Sequence, residues 1–198
     1  LNSLEDLQGL TMRIPSLGGE VFRRAGGVPV TMQVSEVFTA LQTGALDATE
    51  FVSPYNDLAA GYHTVADYYY YPGWHEPGST LETIFNKERF ESLPIDLQEI
   101  LMAGTEIMNQ LLLDELMARN NEALRVLVEE HGVQLRKLPD DVLTELHRIS
   151  EEVVAEMALV DEQTTRVFES WRDFRDNVIN YNRIAEEAFI EARNLPLN

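Results

Sequence analysis

One run of the sequence, residues 36–71, places several signals of regular structure in close succession. Residues 36–43 carry apolar side chains at helical spacing, and Gly44 stands where such a helix would end. The segment 45–48 has the length of a short strand, and Ser53 followed by proline is typical of a helix N-terminus. Helices and strands that alternate in this way predict an α/β fold.

Glu50 and Phe51 stand just before that helix N-terminus, at the end of the predicted strand. Open α/β sheets bind their ligands beside the carboxyl ends of their strands. These two residues are therefore the first candidates for a binding site.

The flanking residues repeat the alternation. Residues 10–15 and 28–33 alternate as strands, the second around a proline that favours a sheet edge, and a helix is predicted from Gly18 to Arg24. The tyrosine run 68–71 is interpreted as a strand between two lobes. Three β-α turns within about 50 residues predict a mixed sheet, or a parallel one, in preference to a helical bundle.

Beyond residue 80 the pattern becomes mainly helical. Residues 81–86 are predicted as one more strand, 87–92 as a short helix and 133–138 as a short strand, followed by a helical region from Pro139 to about Asn194. This last region has an apolar stripe, a feature that is more often core packing than an oligomer interface, although a homodimer through these helices stays open. The stripe consists of Val153, Met157, Val160, Val167, Phe168, Trp171 and Phe174.

The longest helical pattern runs over residues 94–131 without an internal proline, and Gly132 follows as a stop. At about 1.5 Å per residue this helix would be about 57 Å long, more than a lobe of this size is wide. We therefore expect it to bridge two bodies. The predicted division is an α/β lobe with hinge strands (1–93), the bridging helix (94–132) and a C-terminal strand and helical region (133–198).

The composition of the chain excludes several functional classes. The 15 Lys and Arg residues against 34 Asp and Glu residues give a net charge of −19, whereas nucleic-acid binding needs a concentrated basic surface. There is no cysteine, which removes disulfides, thiolate zinc sites and cysteine nucleophiles. No run approaches the roughly 20 apolar residues of a membrane span, so membrane insertion is not expected.

Three segments carry a resemblance to a known family: DLQGLTMRIPSLGGEVFRRAGGVPV, SEVFTALQTGALDATEFVSPYNDL and YYYYPGWHEPG. They resemble the second half of the periplasmic solute-binding proteins of TRAP transporters, densely over residues 4–80 and more thinly over 81–198. The third segment resembles the subgroup that binds 2-oxo acids and related monocarboxylates together with a metal cation. The resemblance implies the second lobe of a two-lobe periplasmic-binding-protein-like fold, backed by long C-terminal helices. It also implies a non-enzymatic protein that presents a small organic acid to TRAP membrane subunits.

Members of this family begin with a secretory signal and a complete first lobe, and nothing in the sequence corresponds to either. Leu1 is also not an initiator methionine. We therefore expect the chain to be a fragment of a periplasmic protein, with the N-terminal lobe, and so one wall of the binding cleft, absent.

Arg13 lies on the first predicted strand, in the family-like context GLTMRIP. By spacing alone it would be a surface arginine paired with one of the many carboxylates. The resemblance instead implies that it clamps the carboxylate of the substrate. Guanidinium suits that role because its planar fork can donate two parallel hydrogen bonds.

Glu50 and Glu76 are the cation ligands that the resemblance implies, with the backbone carbonyl of Phe51 as a third. By themselves, two glutamates among 34 acidic residues are a weak signal. Oxygen donors suit sodium or calcium and would not select zinc. Without a cation, both glutamates and a monocarboxylate would face Arg13 alone, and each repulsive contact near 4 Å would cost about 4 kcal/mol.

Two aromatic residues complete the predicted ligand site. Phe51 replaces the tryptophan that the subgroup usually carries, which removes an indole N–H donor and leaves space. Trp74 is interpreted as a pocket wall, although a large aromatic beside a turn is as often a packing residue. His75 adjoins Glu76, but neighbours in a turn rarely bind one metal, so His75 is left out of the ligand set, and a role in orienting a ligand residue stays open.

Two other functions remain open from the sequence alone. One is a helical interaction or scaffold module whose α/β part is purely structural. The other is an enzyme, for which the sequence offers no nucleophile elbow, phosphate loop or Cys/His pair. A close approach of Arg13, Glu50 and Glu76 would favour the binding protein, whereas separations beyond about 12 Å would favour the scaffold, because no small ligand could then join them.

Overall fold

The computed structural model of the protein describes residues 1–76, 78 and 81–196. The chain forms two compact units, Leu1–Ile149 and Ser150–Asn198. The predicted division at residues 93 and 132 concerns lobes of a larger protein, and it stays a prediction.

The N-terminal part of the first unit alternates strands and helices, which confirms the predicted α/β class. The elements in chain order are a 3-10 turn (Leu4–Leu7), β1 (Thr11–Arg13), α1 (Ser16–Arg24), β2 (Val28–Val30), α2 (Val34–Thr43), β3 (Ala48–Thr49), α3 (Pro54–Ala60), a second 3-10 turn (Tyr62–Thr64) and β4 (Tyr68–Tyr71).

The end of α2 shows why one predicted strand is shorter than expected. Gly44 ends the helix as predicted, with a φ of 74° in the left-handed region that glycine favours. The N–H groups of Ala45 and Leu46 then donate to the carbonyl of Ala40, at 2.9 and 3.1 Å. Because these two donors close the helix, the strand predicted at 45–48 forms only as β3, at Ala48–Thr49.

Strands β1, β2 and β3 form a sheet in the order β2-β1-β3, with both pairs parallel. The predicted edge position of the second strand is confirmed. The mixed sheet is not, because every strand pair in the described part of the chain is parallel. Arg13 of β1 is in register with Val30 on one side and Thr49 on the other. The carboxyl ends of β1 and β3 therefore meet at the same edge of the sheet.

The core near this edge is apolar and continuous with the residue that follows Glu50. Val37 of α2 is buried with Leu46 and Tyr62. Phe51 packs against this cluster, and its ring meets that of Tyr62 edge-on with centroids 5.3 Å apart. The packing fixes the chain direction just after β3.

The rest of the first unit adds helices and a second, two-stranded sheet. The elements are α4 (Lys87–Glu91), α5 (Ile95–Arg125), a π-helical turn (Val126–Glu130), β5 (Gln134–Lys137) and the start of α6 (Asp140–Met157). β5 pairs in parallel with β4, from Tyr68 beside Gln134 to Tyr71 beside Lys137. The strand predicted at 81–86 is wrong: these residues pair with no strand, and Ile84 is 82% exposed.

The long helix predicted at 94–131 is confirmed as α5 and the π-helical turn that continues it. The 31 residues of α5 span about 46 Å, and Gly132 follows the turn with a φ of 72°. Against α3, the N–H of Tyr55 donates to Asn120 Oδ1 at 3.0 Å. Several apolar side chains of α5 are nonetheless more than half exposed, among them Ile100, Met108 and Met117. Bridging of two bodies by this helix stays a prediction.

The second unit consists of the end of α6 followed by α7 (Glu162–Ile184) and α8 (Glu186–Arg193). Asp161 caps α7 by accepting a hydrogen bond from the N–H of Thr164 at 2.7 Å. Of the predicted apolar stripe, Val153 is buried, whereas Met157, Val160, Val167, Trp171 and Phe174 are exposed. Within the described residues, no helix has the length and apolar character needed to cross a membrane.

Candidate functional site

The parallel register of β1 and β3 brings Arg13 and Glu50 together. Arg13 is the last residue of β1, and Glu50 directly follows β3. The N–H of Glu50 donates to the carbonyl of Arg13 at 3.2 Å, which extends the strand pairing by one residue. Their side chains form an ion pair between Arg13 Nη1 and Glu50 Oε1, and they are only 15% and 12% exposed.

The turn that follows β4 contributes the other side of the site. Glu50 Oε2 lies 3.6 Å from Nε2 of His75. Glu50, His75 and Glu76 each present one ligand atom, and these three atoms lie within 4.8 Å of one another. Residues from two sheets of the first unit therefore converge on one small volume.

The two carboxylates of this cluster suit a hard cation. Calcium binds oxygen at about 2.3–2.6 Å, so two ligands on opposite sides of the ion lie about 5 Å apart. The separations within the cluster agree with that spacing. Glu50 gives Oε1 to Arg13 and turns Oε2 towards His75, so a single carboxylate reaches both a guanidinium and the cluster.

Two buried nitrogen atoms at the site have no hydrogen-bond partner in the described part of the chain. They are Arg13 Nε and His75 Nδ1. A buried N–H without an acceptor costs about 1–3 kcal/mol, so such atoms are usually satisfied by something else. Arg13 and His75 therefore each keep an unused hydrogen-bonding atom at the site.

The structure thus brings together Arg13, Glu50 and Glu76, as the binding hypothesis requires. Trp74 adjoins them, with its ring centroid 5.1 Å from that of His75. Phe51 follows Glu50, but its ring packs into the core beside Tyr62. Ligand contacts of Phe51 and Trp74, and the carbonyl ligand from Phe51, stay predictions.

Sequence reasoning missed His75 as a member of the cluster. His75 and Glu76 each place a potential ligand atom near Glu50, and the expectation that neighbouring turn residues rarely bind one metal stays a prediction. The signal available in the sequence was the adjacency of an imidazole and a carboxylate in a turn held by prolines and glycines.

A buried carboxyl group beside the site was also missed. Asp57 of α3 is 7% exposed, and its Oδ2 accepts a hydrogen bond from the hydroxyl of Tyr69 on β4. Burial raises the pKa of Asp57 to about 6 although that hydrogen bond opposes the shift, and the charge of Glu50 raises it further. Burial and the neighbouring Asp57 raise the pKa of Tyr69, which keeps it a donor.

Comparisons with known proteins identify the family of the chain. The sequence profile of the bacterial extracellular solute-binding proteins, family 7 (DctP), matches residues 1–161. A monocarboxylate 2-oxoacid-binding periplasmic protein from a Nostoc species is 37% identical over 189 residues, which are 96% of this chain and 52% of that protein. This chain therefore spans about half the length of that curated relative.

Two solved structures share the fold. A TRAP periplasmic solute-binding protein from Pseudoalteromonas atlantica T6c, with bound sodium and pyruvate, has a TM-score of 0.89 at 34% identity, over 96% of this chain and 58% of that one. A TRAP transporter solute-binding protein from Bordetella bronchiseptica RB50 is a mixed-occupancy dimer with copurified calcium and picolinate. Its TM-score is 0.91 at 30% identity, over 97% of this chain and 57% of that one.

The profile match covers the whole of the first unit and continues into the second, and the fold is similar to that of both solved relatives. The chain belongs to family 7 of the bacterial extracellular solute-binding proteins, the DctP family.

Proposed function

We propose that this chain forms one wall of the ligand cleft of a periplasmic, TRAP-type solute-binding protein. Its ligand is a small 2-oxo monocarboxylate such as pyruvate, held together with sodium or calcium. The observation that carries the proposal is the convergence of Arg13, Glu50 and Glu76 in the first unit. A scaffold module whose α/β part is purely structural would have no reason to gather one guanidinium and two carboxylates.

Arg13 is the clamp for the carboxylate of the acid. A guanidinium has two edges that can each donate to a carboxylate, one of which includes Nε. Glu50 occupies Nη1, while Nε is buried and has no partner within the described residues. A carboxylate at the Nε edge would satisfy that donor without displacing Glu50.

Glu50 and Glu76 hold the cation, with the carbonyl of Phe51 as a further oxygen. These glutamates and the acid bring three negative charges, against the one positive charge of Arg13. When bound, the cation supplies the missing positive charge and a chelation point for one carboxylate oxygen and the keto oxygen of the acid. The other carboxylate oxygen is left for Arg13. The site would therefore recognise both the carboxylate and the keto group of the acid.

The relatives support this ligand class. The Nostoc protein is named for monocarboxylate 2-oxo acids, and the Pseudoalteromonas protein holds pyruvate with sodium. The Bordetella protein holds picolinate, which is also a monocarboxylate, with calcium. Phe51 replaces the tryptophan usual in the subgroup. Its smaller ring leaves space, so the exchange would affect the size of acid that fits.

The protein binds its ligand and does not transform it. Each described group of the site is accounted for by binding: a clamp, cation ligands and aromatic walls. Closure of two lobes around the acid would present the closed form to TRAP membrane subunits. The proposed role is that of a transport component outside the cytoplasmic membrane.

A second copy of the chain is the proposed occupant of the exposed apolar stripe in the second unit. Val167, Trp171 and Phe174 of α7 are 44–69% exposed, and together they form a patch of the kind that marks association surfaces. The Bordetella relative, which is similar over 97% of this chain, is a dimer. We therefore propose a homodimer through the C-terminal helices.

The central test uses the natural protein that contains this chain. It is stripped of metal with a chelator and titrated calorimetrically with pyruvate, 2-oxobutyrate and lactate, with and without calcium or sodium. We expect binding of a 2-oxo acid that strengthens when the cation is returned. Absence of binding by every small monocarboxylate, with and without cation, would leave the scaffold function as the better account.

A further inference from the structure

The cation site contains an imidazole in addition to its two carboxylates. We propose that His75 is a third side-chain ligand, so that the site accepts a transition-metal divalent cation such as Zn²⁺ or Co²⁺ in competition with sodium and calcium. The inference rests on the proposed function, because it takes Glu50 and Glu76 as the cation ligands. It concerns which cation is bound and not whether an acid is bound.

The separation between His75 and Glu50 exceeds that of a hydrogen bond and is compatible with two ligands of one ion. His75 Nε2 lies 3.6 Å from Glu50 Oε2, whereas N–H···O hydrogen bonds measure about 2.7–3.2 Å. Two ligands at about 2.1 Å from a tetrahedral zinc ion lie about 3.4 Å apart. The observed gap is therefore wide enough for a shared ion.

The imidazole is also held in place by its surroundings. Its side chain is only 17% exposed, and the ring of Trp74 lies 5.1 Å away. On α1, a Cβ built at Gly18 would come within 3.5 Å of His75 Cδ2, so the ring sits close to the helix backbone. A ring whose position is set by packing can act as a metal ligand at low entropic cost.

The second ring nitrogen sets a further requirement for this orientation. When Nε2 faces the metal, Nδ1 carries the proton and requires an acceptor. Nδ1 is buried, and the described residues provide no acceptor for it. An ordered water molecule would be the acceptor that this tautomer requires.

The donor set predicts a mixed selectivity. Carboxylate oxygens suit sodium, calcium and manganese, whereas imidazole suits zinc, copper and nickel. Two carboxylates and one imidazole form a set that either class can use. Removal of the imidazole should therefore weaken binding of the transition metals and leave calcium binding nearly unchanged.

The experiment measures metals alone, without acid, in the natural protein that contains this chain. Chelated wild type, His75→Gln and His75→Asn are titrated with zinc chloride and with calcium chloride. We expect either substitution to lower the affinity for zinc by about tenfold or more. The affinity for calcium should change by no more than about twofold, because the new amide still offers an oxygen. His147→Gln, at an exposed histidine of α6, is the matched control.

A second readout on the wild type does not depend on a variant that folds. The cobalt-loaded protein should show paramagnetically shifted ring protons of His75, which marks direct coordination. An unshifted His75 ring, or equal losses of zinc and calcium in the variants, would overturn the inference. Pyruvate binding that persists with calcium in that case would leave the proposed function intact, whereas wild type that binds neither calcium nor pyruvate would remove both.

Discussion

The Arg13 guanidinium and the Glu50 carboxylate form an ion pair across two neighbouring parallel strands, at the edge where both strands end. The pair leaves Arg13 Nε buried and unsatisfied within the described residues, and it leaves Glu50 Oε2 turned towards His75. One carboxylate therefore orients Arg13, the proposed clamp, and also belongs to the proposed cation site. This shared role is the reason to expect that acid and cation bind together.

Arg13→Lys should weaken binding of pyruvate by about tenfold or more while leaving the fold intact. An ammonium group can still neutralise charge, but it cannot donate two parallel hydrogen bonds, and a charge-assisted hydrogen bond contributes about 1.5–3 kcal/mol. Titration calorimetry at saturating calcium measures the effect, and circular dichroism checks the fold. Arg23→Lys, at an exposed arginine of α1 that pairs with Glu20, is the matched control. Unchanged affinity in Arg13→Lys would remove Arg13 from the site.

Glu76→Gln and Glu50→Gln should weaken binding of the cation and, because the cation helps to hold the acid, binding of the acid as well. Each change keeps one carbonyl oxygen but removes a negative charge that the cation needs. Thermodynamic linkage requires that calcium raise the affinity for pyruvate by the same factor by which pyruvate raises the affinity for calcium. This factor is typically about 5–150-fold. We expect that factor to fall towards one in both variants.

The linkage is measured by titrating pyruvate after chelation and again after calcium is returned. Glu151→Gln, which lies in the second unit and pairs with Arg175, should behave as wild type. If pyruvate affinity does not depend on calcium even in the wild type, Glu50 and Glu76 are ordinary acidic residues, and any acid is held by Arg13 and neutral donors alone.

Local signals in the sequence were sufficient for most of the α/β part, whereas the site roles of Arg13, Glu50 and Glu76 are implied by the family resemblance and stay predictions. Gly44 and the Ser53-Pro54 pair marked the ends of α2 and the start of α3, which located the end of β3 and hence Glu50. What failed depends on contacts between distant residues. Residues 81–86 alternate like a strand but find no strand to pair with.

His75 and Asp57 could not be predicted from the sequence for the same physical reason. His75 joins Glu50 only because the turn after β4 comes back to the end of β3, and no local spacing encodes that approach. Asp57 is an ordinary first-turn residue of α3 until Tyr69, on another element, donates to it. Burial and long-range hydrogen bonding determine the chemistry of both side chains.

Phe174→Glu should shift the natural protein from dimer to monomer. Phe174 is 69% exposed in the second unit, and a charged group placed in an apolar interface without a partner is strongly unfavourable. Light scattering after size-exclusion chromatography, at several protein concentrations, measures the change. Ile84→Glu introduces the same charge at an exposed apolar position of the first unit and should leave the dimer intact. A wild type that is monomeric at every concentration would end the homodimer proposal.

Asp57→Asn should stabilise the protein at neutral pH and have little effect at pH 4. The pKa of Asp57 is raised from its ordinary value of 3.8 to about 6, chiefly by burial. The folded state therefore binds the proton more tightly than the unfolded state does. The stabilising contribution of this group is fully present below about pH 4 and is lost as the pH rises through 6. Above that pH the buried negative charge costs about 3 kcal/mol.

An asparagine at this position stays neutral at every pH and can still accept a hydrogen bond from the Tyr69 hydroxyl. The gain in unfolding free energy of Asp57→Asn over wild type should thus grow from near zero at pH 4 to about 3 kcal/mol at pH 7. Urea unfolding at pH 4, 5, 6 and 7 measures this difference, with Asp96→Asn, at an exposed aspartate in the first turn of α5, as the control. A difference that stays constant across this range would show that the carboxyl group of Asp57 does not take up a proton between pH 4 and 7. The hydrogen bond from Tyr69 would then join α3 and β4 through a carboxylate that is charged throughout.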